Sequence, residues 1–324
     1  MPRSFCLPRA RPLITRADVE AAAARLSPHV LQTPLRRSEW LSSIAGAPVS
    51  LKLETLQETF SYKFRGALNA VLRLCEGGGR PSGLVTASAG NHGRALAAAA
   101  AKVGLPLTVY VPATAPKVKL DAMKVLGAHV ELCADYDEAE CEAQLHDAPG
   151  VVYVSPYAHP FVIEGAGTVA VEILAQDPLI EVVVCPVGGG GLASGIAIAA
   201  AGRAETWGVE TEASCPFTRS LAAGRVVAID VQPSLADGLA GNLDPGTITF
   251  DLVRQHVAGI ATVTESQVAR AIGQLAASER LIAEGAAAVG VAGVVNGRVP
   301  LAGRRTAIVL TGANIDVDKL RQLI

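Results

Sequence analysis

Aromatic side chains are scarce in this sequence. They make up only 4% of its 324 residues, too few for the stacking platforms that hold single-stranded nucleic acid. Neither sign of charge dominates: 28 Lys and Arg stand against 30 Asp and Glu, a formal net charge of -2. Such a balance offers no electrostatic footprint to nucleic acid or to an anionic membrane. Long charge runs, low-complexity linkers and fixed-period repeats are absent. The glycine–lysine phosphate loop of P-loop nucleoside triphosphatases is absent too, which excludes that class. The six cysteines (Cys6, Cys75, Cys133, Cys141, Cys185 and Cys215) contain no C-x-x-C pair and have no His at zinc-finger spacing. They read as reduced thiols of a cytoplasmic protein.

Two segments imitate something else. The start, MPRSFCLPRARPLITR, is Arg-rich with no acid before Asp18, in the manner of a transit peptide. Pro2, Pro8 and Pro12 would spoil the amphipathic helix such a peptide needs, so an unstructured tail is expected. The uncharged run 182–202 is long enough to span a bilayer. Pro186 and four successive glycines interrupt it, so a buried strand, a loop and a buried helix are expected instead.

Half of the residues are hydrophobic, enough for a substantial core. Short apolar runs rich in β-branched residues occur at Val49–Leu53, Gly83–Thr86, Leu107–Val111, His129–Leu132, Val151–Val154, Val182–Pro186, Thr206–Val209 and Thr306–Leu310. Ala-rich helical patterns separate them, among them Arg65–Cys75, Gly93–Val103, Pro116–Leu126, Gly165–Leu174, Leu192–Ala201, Glu265–Glu279 and Ala286–Val295. This alternation predicts an α/β protein of parallel sheets with helices on both faces. The runs of the middle third are expected to form a smaller sheet of their own. Ligands are expected where strands end and glycine loops begin.

The strongest local signal is CPVGGGGLASG, Cys185–Gly195. An apolar strand enters Gly188, Gly189, Gly190 and Gly191, and an apolar helix leaves from Leu192. Such a loop aims backbone N–H groups, and the positive end of a helix dipole, at one anionic group. Taken alone it leaves two phosphates open. Gly188, Gly190 and Ala193 also fit a dinucleotide fingerprint, with Glu210 after the next strand as the ribose acid. A dinucleotide-dependent oxidoreductase is therefore a rival on this loop. Lys63 lies between Tyr62 and Phe64 at the mouth of a helix. Apolar neighbours and nearby Arg65 are expected to lower its ammonium pKa and give a usable neutral amine. The loop Ser88-Ala89-Gly90-Asn91-His92 follows a strand and opens an Ala-rich helix, where exposed N–H groups suit a carboxylate.

With SYKFRGA, SAGNHG, VGGGGL and TGAN in that order, LKLETLQ ahead of them and SLADGLAG (Ser234–Gly241) between the last two, the chain resembles the threonine/serine dehydratase family of fold type II pyridoxal-phosphate enzymes. The resemblance runs from about Ile14 to the last residues and also takes in serine racemases and hydroxyectoine-utilisation dehydratases. It implies a fold like that of the tryptophan synthase β chain, with two open, twisted, mostly parallel sheets flanked by helices. Two domains are expected: 1–75 plus 158–324, binding the cofactor, and a small mobile domain, 76–157. The implied activity is β-elimination of water from a β-hydroxy amino acid such as L-threonine or L-serine, giving a 2-oxo acid and ammonia. Lys63 would bond covalently to pyridoxal 5'-phosphate and move the substrate α-proton. Tyr62 would lie against the ring, Asn91 would reach its hydroxyl, and Thr311 would face its nitrogen. Gly188, Gly189, Gly190, Gly191 and Leu192 would hold the phosphate. Ser88, with the backbone of Ala89, Asn91 and His92, would take the substrate carboxylate. Glu210 would help hold a divalent or monovalent cation, although Pro216 stands where some relatives carry an acidic ligand. A homodimer acting on a small amino acid is implied, with no nucleic acid or membrane partner.

Departures from the family pattern bear on the substrate. Relatives that racemise serine carry a second Ser where this chain has Ala89, so racemisation is expected to be weak. Phe60 replaces a common Gly, Ser155-Pro156-Tyr157 replaces His-Pro-Phe/Asn, and Glu164 and Ala166 alter Ile-Ala-Gly-Gln-Gly. Substrates other than threonine are thereby opened: 3-hydroxyaspartate, phenylserine or a hydroxyectoine-derived amino acid. The chain stops soon after TGAN, so feedback by isoleucine through a further C-terminal domain is not expected.

Overall fold

A computed structural model describes residues 14–76, 78–146 and 148–324. Cys6 and most of the Arg-rich start, with the tail expected there, lie outside them. From Thr15 onward the start is ordered as helix, because the Thr15 side chain and Asp18 form a reciprocal capping box on Arg16–Leu26.

Among the described residues, ten strands make two sheets. They are β1 (Leu35–Ser38), β2 (Val49–Leu53), β3 (Gly83–Ala87), β4 (Leu107–Pro112), β5 (His129–Cys133), β6 (Val151–Tyr153), β7 (Val182–Pro186), β8 (Glu205–Thr211), β9 (Gly259–Val263) and β10 (Thr306–Leu310). The larger sheet runs β1-β2-β10-β7-β8-β9 and the smaller one β5-β4-β3-β6. Every pairing is parallel except β1 with β2. The middle-third runs do form their own sheet. All eight expected strands are present; the two unexpected ones, β1 and β9, are the edges of the larger sheet. Edge strands bury less and so lack the continuous apolar run that marks a central parallel strand. LRRS and GIATV are mostly half-buried, whereas VVVCP and TAIVL are buried throughout.

Alternation along the central strands divides the core. Val182, Val184, Ile308 and Leu310 face the helix Gly285–Val295 and its neighbour Glu265–Gln274. Val183, Cys185, Ala307 and Val309 face the helices Pro160–Gln176 and Gly191–Ala200. The last two helices touch backbone to backbone: a Cβ on Gly195 would stand 2.4 Å from the Ile163 carbonyl oxygen. The uncharged run 182–202 is thus β7, a glycine turn and a buried helix. No helix among the described residues is long and apolar enough to cross a membrane. The expected helix Glu265–Glu279 is α-helical only to Gln274, and Leu275–Glu279 widens into a π turn. Glu279 is drawn aside there, accepting hydrogen bonds from Arg36 at 2.7 Å and Ser38 at 2.5 Å.

One ionic network fixes the helix that carries Lys63. Arg65, fully buried, donates to both Glu54 oxygens at 2.8 Å and to both Glu172 oxygens at 2.7 and 2.9 Å. Lys52, also buried, donates to Glu172 at 2.6 Å and to the Thr33 carbonyl at 2.7 Å. A buried ion group contributes little net stability while whole, but losing one member strands the others' charge out of water. Arg65→Met is therefore expected to cost about 3–5 kcal/mol, measured by urea denaturation. A loss below about 1 kcal/mol would mean that the network is not what holds this helix.

Candidate active site

Strand ends from both sheets converge on one cavity of about 330 Å3. The glycine loop follows β7, Thr311 follows the adjacent β10, Ser88 follows β3, and Pro156 and Tyr157 lie beyond β6. Tyr62, Lys63, Ser88, Ala89, Asn91 and His92 line the cavity, as do Gly188, Gly189, Gly190, Gly191, Leu192 and Thr311. Of the residues expected at the site, only Glu210 is not in its wall.

Lys63 is the first residue of the helix Lys63–Cys75, and its Nζ donates to the Pro156 carbonyl at 2.8 Å. The amine stands 5.4 Å from the centre of the Tyr62 ring. Burial pushes its pKa down to about 8, against the opposing pull of the Glu284 carboxylate. The depression was expected, but Arg65 is not its cause. The Arg65 guanidinium is consumed by Glu54 and Glu172.

The glycine loop fits an anion. Gly190 has φ +84, in the left-handed region that favours glycine, and forms the N-terminal boundary of Gly191–Ala200, where no side chain caps the helix. The first N–H groups of a helix lack an internal partner. A Cβ at Gly189 would stand 2.2 Å from the Tyr157 ring, and one at Gly191 2.5 Å from the Tyr157 carbonyl. No other residue fits these positions without displacing Tyr157. Tyr157 therefore belongs to the cavity wall, while Glu164 is buried outside it against Asn69 and Phe60 is largely exposed.

Asn91 is gripped at both ends of its amide. Its Nδ2 donates to Glu284 Oε1 at 2.7 Å, and its Oδ1 accepts from Asn314 at 2.7 Å. Arg94 donates to Asn314 Oδ1 at 2.9 Å. Burial raises the Glu284 pKa to about 7, opposed by the Asn91 hydrogen bond. His92 is buried and held neutral, its pKa pushed down to about 3 chiefly by burial. Its Nε2 lies 3.3 Å from the Val154 carbonyl, and its Nδ1 has no partner. Glu210 serves elsewhere. Its oxygens accept from the Phe217 and Thr218 N–H groups at 2.8 and 2.9 Å, and from the Thr218 hydroxyl at 2.6 Å. It caps the short helix Pro216–Ala223, where Pro216 suits the first turn. Among the described residues, no group of three or more His, Cys, Asp or Glu side chains could hold a metal ion.

Glu284, Asn314, Glu140, Asp237 and Asp244 also line the cavity and had no role in the sequence reading. Glu284 carried a signal, as a lone acid opening a helix of eleven apolar or glycine residues. Glu140 carried none, since its helix reads as an exposed acidic surface.

A buried lysine amine, a four-glycine helix entrance and a neutral hydroxyl at the end of the neighbouring strand fit an aldehyde cofactor with a phosphate arm, and define a pyridoxal-phosphate enzyme. The chain belongs to the family of pyridoxal-phosphate dependent enzymes, whose model matches residues 26–312. It is 41% identical over 317 residues to the L-threonine ammonia-lyase of Thermotoga maritima, covering 96% of this chain and 78% of that one. It is 34% identical to the L-threo-3-hydroxyaspartate ammonia-lyase of Saccharomyces cerevisiae, covering 96% of each. The crystal structure of serine racemase from Dictyostelium discoideum superposes with a TM-score of 0.87 at 30% identity, covering 94% of this chain and 99% of that one. These matches remove the oxidoreductase reading.

The Glu284 anion opposes the burial that lowers the Lys63 pKa. Glu284→Gln keeps an acceptor for Asn91 but removes that anion. The Lys63 pKa is then expected to fall below about 8, moving the pH at which apoenzyme captures the cofactor at half its maximal rate downward. Stopped-flow absorbance across pH measures this; an unmoved or raised midpoint contradicts the assignment.

Proposed function

We propose that the protein eliminates water from a β-hydroxy amino acid and that hydrolysis of the resulting imine, which consumes one water, releases ammonia and gives a 2-oxo acid. What carries this reading is the meeting of the Lys63 amine, the glycine loop and the Ser88–His92 loop in one cavity, in a chain similar to named ammonia-lyases. Pyridoxal phosphate, when bound, supplies an electron sink that acidifies the α-carbon of an attached amino acid.

The remaining steps fall to side chains. Lys63 would hold the cofactor through its aldehyde, and its amine, with the pKa lowered by burial, would take the substrate α-proton. Gly188, Gly189, Gly190, Gly191 and Leu192 hold the phosphate by N–H groups, and Tyr62 packs on the ring. Asn91, fixed by Glu284 and Asn314, meets the ring hydroxyl. Thr311 would offer the ring nitrogen a neutral hydroxyl, a partner that would leave the ring less cationic than a carboxylate would. Ser88, with the N–H groups of Ala89, Asn91 and His92, orients the substrate carboxylate. Ala89 has no proton to give from the far face, which speaks against racemisation. Segment 76–157 moves as a unit against 1–75 plus 158–324 when substrate enters. The protein acts as a cytoplasmic homodimer; the five cysteines free among the described residues suit a reducing compartment, and sedimentation tests the dimer.

Lys63→Ala is expected to lower ammonia release by about a thousandfold or more and to abolish borohydride fixation of the cofactor, read by mass spectrometry of the tryptic peptide. Fixation on another residue would end this reading. Ala89→Ser is expected to raise serine racemisation, followed by chiral chromatography. The unaltered protein racemising serine as fast as it eliminates would contradict the role given to Ala89.

A further inference from the structure

The glycine loop is walled in from two sides. On one side the Tyr157 ring lies against Gly189, and the Tyr157 backbone closes on Gly191. On the other side Phe217 and Thr249 close on Gly190, and Leu239 closes on Gly188. A backbone enclosed in this way can shift only if a wall shifts with it.

The two walls are joined by one side-chain pair. The Tyr157 hydroxyl donates to Asp244 Oδ2 at 2.5 Å and accepts from the Asp244 N–H at 3.1 Å. Burial, and then the Asp244 carboxylate, raises the pKa of the phenol above its ordinary value, so the hydroxyl stays a donor. Asp244 is anchored in turn. Its carbonyl accepts from the Thr247 N–H at 3.0 Å, and its neighbour Leu243 is buried. Thr247 caps the helix Ile248–His256, which carries Thr249. A circuit of contacts therefore runs from Gly189 through Tyr157, Asp244 and Thr247 to Thr249, and back to Gly190. Asp244 also lines the cavity, where a carboxylate opposes any anion. What it provides there is the position of Tyr157.

We propose that Tyr157 is a positioning residue for the cofactor's phosphate: pinned by Asp244, its ring holds Gly189 and Gly191 so that their N–H groups converge on the anion. This rests on the reading that the glycine loop holds a phosphate. The hydroxyl acts through the ring and the loop, so only the share of binding that comes from the phosphate depends on it. A hydrogen bond to an ionised acceptor is of the stronger kind, which suits it to fixing a ring that is otherwise held by packing alone.

Tyr157→Phe keeps the ring and removes the pin. Absorbance titration of the apoenzyme with pyridoxal 5'-phosphate and with pyridoxal, which has no phosphate, separates the two shares of binding. In the variant the Kd for pyridoxal 5'-phosphate is expected to rise about tenfold, while that for pyridoxal stays within about twofold. An equal rise for both, or a rise for neither, overturns the assignment. In an Asp244→Ala background the pin is already gone, and adding Tyr157→Phe is expected to cost less than about twofold. A full tenfold loss in that background would mean that the hydroxyl acts without Asp244, and overturns the assignment as well. Native apoenzyme that captured no pyridoxal 5'-phosphate would instead end the cofactor reading. Calorimetry with inorganic phosphate alone would then still decide the role of Tyr157: weaker binding in Tyr157→Phe supports it, and unchanged binding overturns it.

Discussion

The site depends on a charge that never touches it. Arg65 lies two residues along the helix from Lys63 and is buried with its guanidinium filled by Glu54 and Glu172. Glu54 comes from the turn after β2, and Glu172 from the long helix that packs under the glycine loop's own helix. Two separate stretches of chain are thereby locked to the start of the Lys63 helix. The guanidinium is fully occupied by these two carboxylates, so burial rather than Arg65 lowers the pKa of the amine.

Much of this was legible in the sequence, for reasons that can be stated. Central parallel strands are buried on both faces, so VVVCP and TAIVL announce themselves as unbroken apolar runs. Gly189 and Gly191 must be glycine because Tyr157 leaves no room for a side chain, and a four-glycine run is rare enough to read directly. The edge strands LRRS and GIATV were not legible, being short and half-buried. Glu210 misled for a physical reason: an acid after a buried strand has the same appearance whether it binds a ribose, a cation or the start of a helix. Only the positions of Phe217 and Thr218 show that it is the last. The pairings of Glu284 with Asn91, and of Asn91 with Asn314, join segments more than 190 residues apart, and no local pattern encodes them.

The cavity combines parts with different obligations. On the proposed function, the glycine loop, Lys63 and Thr311 answer to the cofactor. Tyr157 and Asp244 line the same cavity from the loop after β6 and from a late loop of the chain.

Strand order has a consequence for how the molecule is made. β10 lies between β2 and β7, yet it is the last strand in the chain. On the ribosome, the first two strands of that trio must wait, their facing edges unfilled, until the segment Thr306–Leu310 has emerged. Thr311 arrives with the closing strand. The cleft is thus completed only once β10 has been made, and a product terminated before it presents unpaired apolar edges to the quality-control machinery of its cell.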